Sequence, residues 1–219
     1  RMHKRIAKHL QGLGPSAAPP GRIARHLERG GLPGEAAEAY YEAAQAARRV
    51  FSNREALRFY GRALALLPAD SPRRFWAHEA REQIFRGLGR RAEQAQELEG
   101  LQAYAEGAAD PSMLALAYNR LARHAVDGSD LENVESHLER ALAAAKKVGE
   151  RGAEVEALRL SAQLDQERGD PHGALAHVDE ALARAGQDRS LLAARGSVLV
   201  QRASLLRRIG RLDEALEAN

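Results

Sequence analysis

The chain of 219 residues contains no cysteine, so it forms no disulfide and offers no thiolate to a metal. Aromatic residues make up only 5% of it, and most of the 44% hydrophobic share is alanine and leucine, a balance that suits closely packed helices and not sheets. No window approaches the ~20 apolar residues of a membrane span, and no signal-peptide pattern opens the chain. These absences predict a soluble protein of a reducing cytoplasm with no membrane partner. Chemistry is equally scarce. No Gly-x-x-x-x-Gly-Lys phosphate loop occurs, because GLGRR at 87–91 has neither the spacing nor the lysine. None of the eight histidines pairs with another as His-x-x-x-His, and His172 and His177, five apart, point in different directions on a helix. The carboxylate pairs are those that Glu-rich helices give by chance, with nothing to mark one as desolvated. The expectation is a non-catalytic chain with no metal and no cofactor.

What charge there is does not point to nucleic acid. The 33 basic and 30 acidic residues interleave along the chain and form no block, so the net charge of +3 marks no phosphate-binding stripe. Only Lys4, Lys8, Lys146 and Lys147 are lysines. A nucleic-acid-binding helical repeat would have to show binding that weakens steeply with salt.

Gly, Pro, Asp and Ser clusters interrupt the chain at regular intervals: GLGPSAAPPG (12–21), GGLPG (30–34), FSN (51–53), PADSP (68–72), GLGR (87–90), GAADP (107–111), DGSD (127–130), VGERG (148–152), RGDP (168–171), AGQD (185–188) and IGRLD (209–213). The segments between them have helical length and 3.6-type periodicity, giving about twelve helices and no strand. Asp70-Ser71-Pro72, Asp110-Pro111 and Asp170-Pro171 each offer a capping side chain followed by a first-turn proline.

Four of these helices share one pattern. Ala56, Tyr60 and Ala63 stand at offsets of four and three, as do Val134, Leu138 and Ala141, and Ala174, Val178 and Ala181, while Ala215 opens the same pattern in EALEAN. Twelve residues before each opening residue stands an alanine, at Ala44, Ala122, Ala162 and Ala203. Small residues at such spacing predict a helical-hairpin repeat in which two helices approach closely, with a period of about 40. Around 72–106 the register is ambiguous, because Trp76, Ala80, Ala92 and Ala95 allow two alignments. Phe75, Trp76, Ile84, Phe85 and Leu88 are expected there as one core stripe. His26 reads as a half-buried packing residue at the first hairpin, and His137 as a residue beside a core position on an otherwise polar face.

This pattern resembles the tetratricopeptide repeat, with its closest fit over Tyr40, Ala43, Ala44, Ala56, Tyr60, Ala63 and Pro68, and it implies a right-handed α-α superhelix, all-α, of about five repeats. In that family the first helices of successive repeats line a concave groove. Carried onto matching positions, the groove residues are Tyr41, Gln45, Arg48 and Arg49 in the first clear repeat. They are Asn119, Arg123 and Asp127 in the next, then Arg159, Gln163 and Glu167, and finally Val200, Ser204, Arg207 and Arg208. Arginine can grip a carboxylate with two hydrogen bonds, and Asn or Gln can pair with a peptide backbone, so the resemblance implies a protein or peptide partner of acidic character.

The N-terminal third resembles a second family. His3, Ile6 and Ala7, then Ile23, Ala24, His26 and Leu27, stand as they do at the junction to the repeats in bacterial signalling ATPases of the STAND type, whose outputs are DNA binding or nucleotide cyclisation. The resemblance implies a sensor arm. Residues 1–33 would link to an upstream domain and 34–219 would form the repeat array. The start at Arg1 and the stop within LDEALEAN read as the ends of a fragment. The alternatives are a stand-alone scaffold or co-chaperone array binding acidic peptides, and arms that associate with one another.

Overall fold

The computed structural model describes residues 2–12 and 19–217. Most of the break expected at 12–21 and the last two residues of EALEAN lie outside them. Among the described residues every regular element is helical: α1 (Met2–Gly12), α2 (Pro20–Arg29), α3 (Pro33–Arg49), α4 (Asn53–Leu66), α5 (Arg73–Gly87), α6 (Arg91–Ala108), α7 (Pro111–Asp127), α8 (Leu131–Val148), α9 (Arg151–Glu167), α10 (Pro171–Ala185), α11 (Leu192–Arg208) and α12 (Leu212–Glu217), with one 3-10 turn at Arg189–Leu191. No helix is long and apolar enough to cross a membrane. The chain divides into two compact units, one up to Tyr104 and one from Ala105 onward, with the boundary inside α6.

The small-residue seams lie where the periodicity places them. In the first unit Ala44, Ala56 and Ala63 have no exposed surface and Tyr60 has 1%, so α3 and α4 pack through alanines with one large ring filling the space beside them. In the second unit Ala122 and Val134 are buried together with Leu138 and Ala141, and Ala162 and Ala174 with Val178 and Ala181. There α7, α9 and α11 also touch one another in sequence, as the first helices of stacked hairpins do.

The turns share a mechanism. Among the described residues seven of them close with the same pair of hydrogen bonds, in which a residue just past the helix donates to the carbonyl three before it and the next residue donates to the carbonyl five before it. At Gly89 the bonds are Gly89 N–Arg86 O, 3.1 Å, and Arg90 N–Phe85 O, 2.9 Å; at Gly169 they are Gly169 N–Gln166 O, 3.1 Å, and Asp170 N–Asp165 O, 2.8 Å. This cap needs a left-handed backbone at its centre, which glycine adopts without strain, and φ is +67° and +79° at these two. The same bonds form after α3, but Phe51 occupies the left-handed position, at φ +56°.

Two expectations differ from the fold. Asp110 and Asp170 cap α7 and α10, accepting from Ser112 N at 2.8 Å and Gly173 N at 2.9 Å, but Asp70 caps nothing. Helix α5 starts at Arg73, too far along for the Asp70 side chain, whose backbone carbonyl accepts instead from the Tyr104 hydroxyl at 2.8 Å. The stripe expected on α5 also splits. Phe75, Ile84 and Phe85 are buried, whereas Trp76 is 44% exposed and Leu88 48%. Neighbouring residues on a helix are about 100° apart, so Phe75 and Trp76 cannot both face one core. The α5–α6 pair nevertheless closes on Gly89 as a hairpin like the others.

Candidate functional site

In the first unit α3, the turn after it, α4 and α5 surround a pocket of about 560 Å³. All four residues predicted for the first repeat line it: Tyr41, Gln45, Arg48 and Arg49. Their common placement follows from helical spacing, since offsets of four, seven and eight from Tyr41 stay within one broad face of α3. Tyr41 and the nearly buried Tyr60 form the floor, ring edge to ring face with centroids 5.6 Å apart. Burial pushes both phenols above their ordinary range, so they remain neutral hydrogen-bonding groups at any physiological pH. Exposed Phe51 and Trp76 and the buried Glu79 of α5 also line it.

The two arginines differ in freedom. The Arg48 guanidinium donates to Gln83, which in turn donates to Glu79, so this charge is held by a chain of side chains reaching from α3 to α5. Arg49 is exposed, and its one contact among the described residues is a long 3.4 Å bond to its own helix, at the Gln45 carbonyl. Its charge is available to a ligand.

The second unit treats its predicted residues differently. Asn119 is 5% exposed, and its amide donates to the Ala153 carbonyl at 3.0 Å, tying α7 to the start of α9. Arg123 and Arg159 both pair with Glu156, the latter at 3.0 Å. Burial alone would raise the Glu156 carboxyl, but the hydrogen bonds and charges of Arg159 and Arg123 outweigh it and hold the group below the ordinary carboxylate range. The α9 backbone is tied in turn to α11, where Gln201 donates to the Arg159 carbonyl at 3.3 Å. Gln163 is half-buried, and Ser204, Arg207 and Arg208 are exposed on α11 with no hydrogen bond to the others; Asp127, Glu167 and Val200 are also exposed. The structure thus gathers Tyr41, Gln45, Arg48 and Arg49 around one cavity and joins Arg123 to Arg159 through Glu156, while leaving Gln163, Ser204 and Arg207 apart. The sequence reading did not include Phe51, Trp76, Glu79 or Glu156 among the site residues. Glu156 has a signal in hindsight, three residues before Arg159 on one helical face.

Among the described residues no group of three or more His, Asp or Glu could hold a metal ion. His3 and His26 do meet, with Nδ1 atoms 2.9 Å apart, at the junction of α1 and α2.

No protein-family model matches the chain, and no curated protein matches it in sequence. Solved structures do match in fold. PilW, a widely conserved type IV pilus biogenesis factor, is 17% identical with a TM-score of 0.59, covering 91% of this chain and 88% of that one. A kinesin light chain-type protein of Podosopora anserina with nearly identical TPR-like repeats is 19% identical with a TM-score of 0.51, covering 91% and 89%. At these identities the likeness is one of fold, and it makes this chain an all-α protein of TPR-like helical hairpins.

Proposed function

We propose that the chain is a non-catalytic protein-interaction arm that binds an acidic peptide segment of a partner through the first helices of its hairpins. The observation that carries this is the first-unit pocket, where an aromatic floor, an amide at Gln45 and an unpaired guanidinium at Arg49 stand together. An aromatic floor takes an apolar side chain, Gln45 can pair with a peptide backbone, and Arg49 can grip a carboxylate with two bonds. In the second unit Arg123 and Arg159 share the Glu156 carboxylate. The resemblance at His3–Ala7 and Ile23–Leu27 supports placing this arm in a cytoplasmic bacterial signalling ATPase or transcriptional regulator, where partner binding would bias the switch of the attached ATPase.

The test uses charge reversal at two exposed arginines whose side chains tie no two helices together among the described residues. A fluorescein-labelled pool of acidic dodecapeptides is titrated with the wild-type chain and with a variant carrying Arg49→Glu and Arg207→Glu. Binding that is lost in the variant, with melting unchanged, is the expected result. Equal binding of acidic and lysine-containing pools, or equal binding by both proteins, rejects an acidic ligand.

A further inference from the structure

The turn after α3 breaks the rule that the other turns keep. At six of the seven turns that close like those at Gly89 and Gly169, a glycine or a serine takes the left-handed position, and none of these carries a large side chain. Phe51 has the same hydrogen bonds, from its amide to Arg48 O at 3.0 Å and from Ser52 N to Ala47 O at 2.9 Å. A bulky residue at positive φ strains the backbone, and such outliers persist where function holds them. Packing does not explain this one, because Phe51 is 87% exposed. Valine at position 50 is 73% exposed beside it.

Phe51 does face something. It lines the 560 Å³ pocket, as Trp76 does. A chain with four Phe, five Tyr and one Trp has placed one Phe, two Tyr and its sole Trp around this cavity. Phe51 and Trp76 both remain exposed, and Trp76 rests edge-on against buried Phe75 with centroids 5.0 Å apart, so its outer face is open. Two exposed rings and two buried ones thus line one cavity together with Arg48 and Arg49, and the Arg73 guanidinium lies over the Tyr41 ring, 5.1 Å from its centroid.

We propose that Phe51 is kept at the left-handed turn position because it is a binding residue, closing with Trp76 on an aromatic side chain of a partner peptide that carries a carboxylate next to that ring. The proposal rests on the interaction-arm reading above and names the chemistry of its ligand. Aromatic pairs of this kind prefer offset or edge-to-face contact at centroid distances of 4.5–7 Å, for which four rings around one cavity supply several partners. Arg49 supplies charge complementarity for the adjacent carboxylate, and Glu79, a buried residue of the same lining, disfavours an acid beside it.

The strain makes the proposal testable by two readouts that should move in opposite directions. Two fluorescein-labelled peptides are used, Gly-Asp-Glu-Phe-Asp-Glu-Gly and the same peptide with alanine for phenylalanine. The wild type should bind the first about tenfold more tightly, a difference typical of an anchoring aromatic. Unlabelled Phe peptide should also shift the Trp76 emission to the blue, and with one tryptophan in the chain the signal is unambiguous. Phe51→Gly should raise the melting temperature and abolish the preference for the Phe peptide. Trp76→Ala should abolish it as well. A lower melting temperature in Phe51→Gly would show that the ring serves the fold, and an intact preference would show that the cavity is not the site; either overturns the proposal. Should the arginine reversal eliminate binding while Phe51→Gly leaves the preference intact, the aromatic site is wrong and the acidic-ligand arm stands. Should the wild type take neither peptide, both fall.

Discussion

Adding one methyl group should destabilise α6 at Gly100 and stabilise α11 at Gly196, and the difference lies wholly in what surrounds each glycine. Alanine in place of glycine in a helix interior is worth about 0.5–1 kcal/mol through backbone entropy. At Gly196, four residues into α11, a Cβ would meet nothing within 4 Å, so the gain stands undiminished. At Gly100 the new carbon would lie 2.5 Å from His78 Cε1, 2.7 Å from Nδ1 and 2.9 Å from Nε2, closer than any real contact. The ring cannot simply swing away. Its Nδ1 is 2.9 Å from Glu97 Oε2, and the same carboxylate accepts from Arg81 Nε at 2.8 Å. Glu97 is only 6% exposed, and although burial by itself would raise its carboxyl, the bonds from His78 and Arg81 hold it low. Expelling His78 removes a bond to a charged group, about 1.5–3 kcal/mol, against the propensity gain, so Gly100→Ala should lose about 1–2 kcal/mol net. At about 2–4 °C per kcal/mol for a chain of this size, circular dichroism melts should show a fall of roughly 2–8 °C for Gly100→Ala and a rise of roughly 1–4 °C for Gly196→Ala. Shifts in the same direction for both would refute the claim that local space, and not helix propensity, sets the sign.

Two further outcomes are expected. Ala56→Leu, at a position without exposed surface on the α3–α4 seam, should overpack it and cost about 1–3 kcal/mol in urea denaturation; an unchanged midpoint would mean that the helices do not meet there. Burial, then the charges of His3 and nearby arginines, lowers the His26 pKa from 6.5, and burial followed by Arg140 does the same at His137. The unfolded chain therefore binds more protons than the folded one below pH 6.5, and stability should be level above that value and fall as pH drops through the lowered folded pKa values. Glu97 and Glu156 add their loss only below their unfolded value of 4.5, so the window between 6.5 and 4.5 reports the histidines. The double variant His26→Gln, His137→Gln should flatten it, and an unaltered slope of melting temperature against pH would show that other groups carry the effect.

The seams were legible in the sequence because small residues such as Ala44 and Ala56, twelve apart across a turn, let two helix backbones approach closely. The helix openings at Asp110 and Asp170 were legible because capping and proline act within one turn. The site was legible only in part. Tyr41, Gln45, Arg48 and Arg49 share a face of one helix, so periodicity alone groups them. Phe51 lay in a segment that reads as a break, and nothing local says that the break would carry an exposed ring at positive φ. Trp76 joined its neighbour Phe75 in an apolar pair, and only packing decides which of two adjacent rings turns inward. The pairing of Arg123 with Glu156 spans 33 residues and two hairpins, beyond any spacing rule.

The recurring turns have a kinetic meaning as well. Each brings two helices together across about three residues, so most native contacts join parts of the chain that are already near, and little loop-closure entropy opposes their formation. Such a chain has no obligatory starting point for folding: any helix pair can form first and serve as the surface on which its neighbour settles. The same independence governs change over generations. A whole pair inserted or removed between two turns leaves every remaining seam with a partner of the same kind, whereas one residue gained within a helix rotates every later alanine off its seam by about 100°. Length can therefore vary by whole pairs at little expense, and the spacing within a pair cannot.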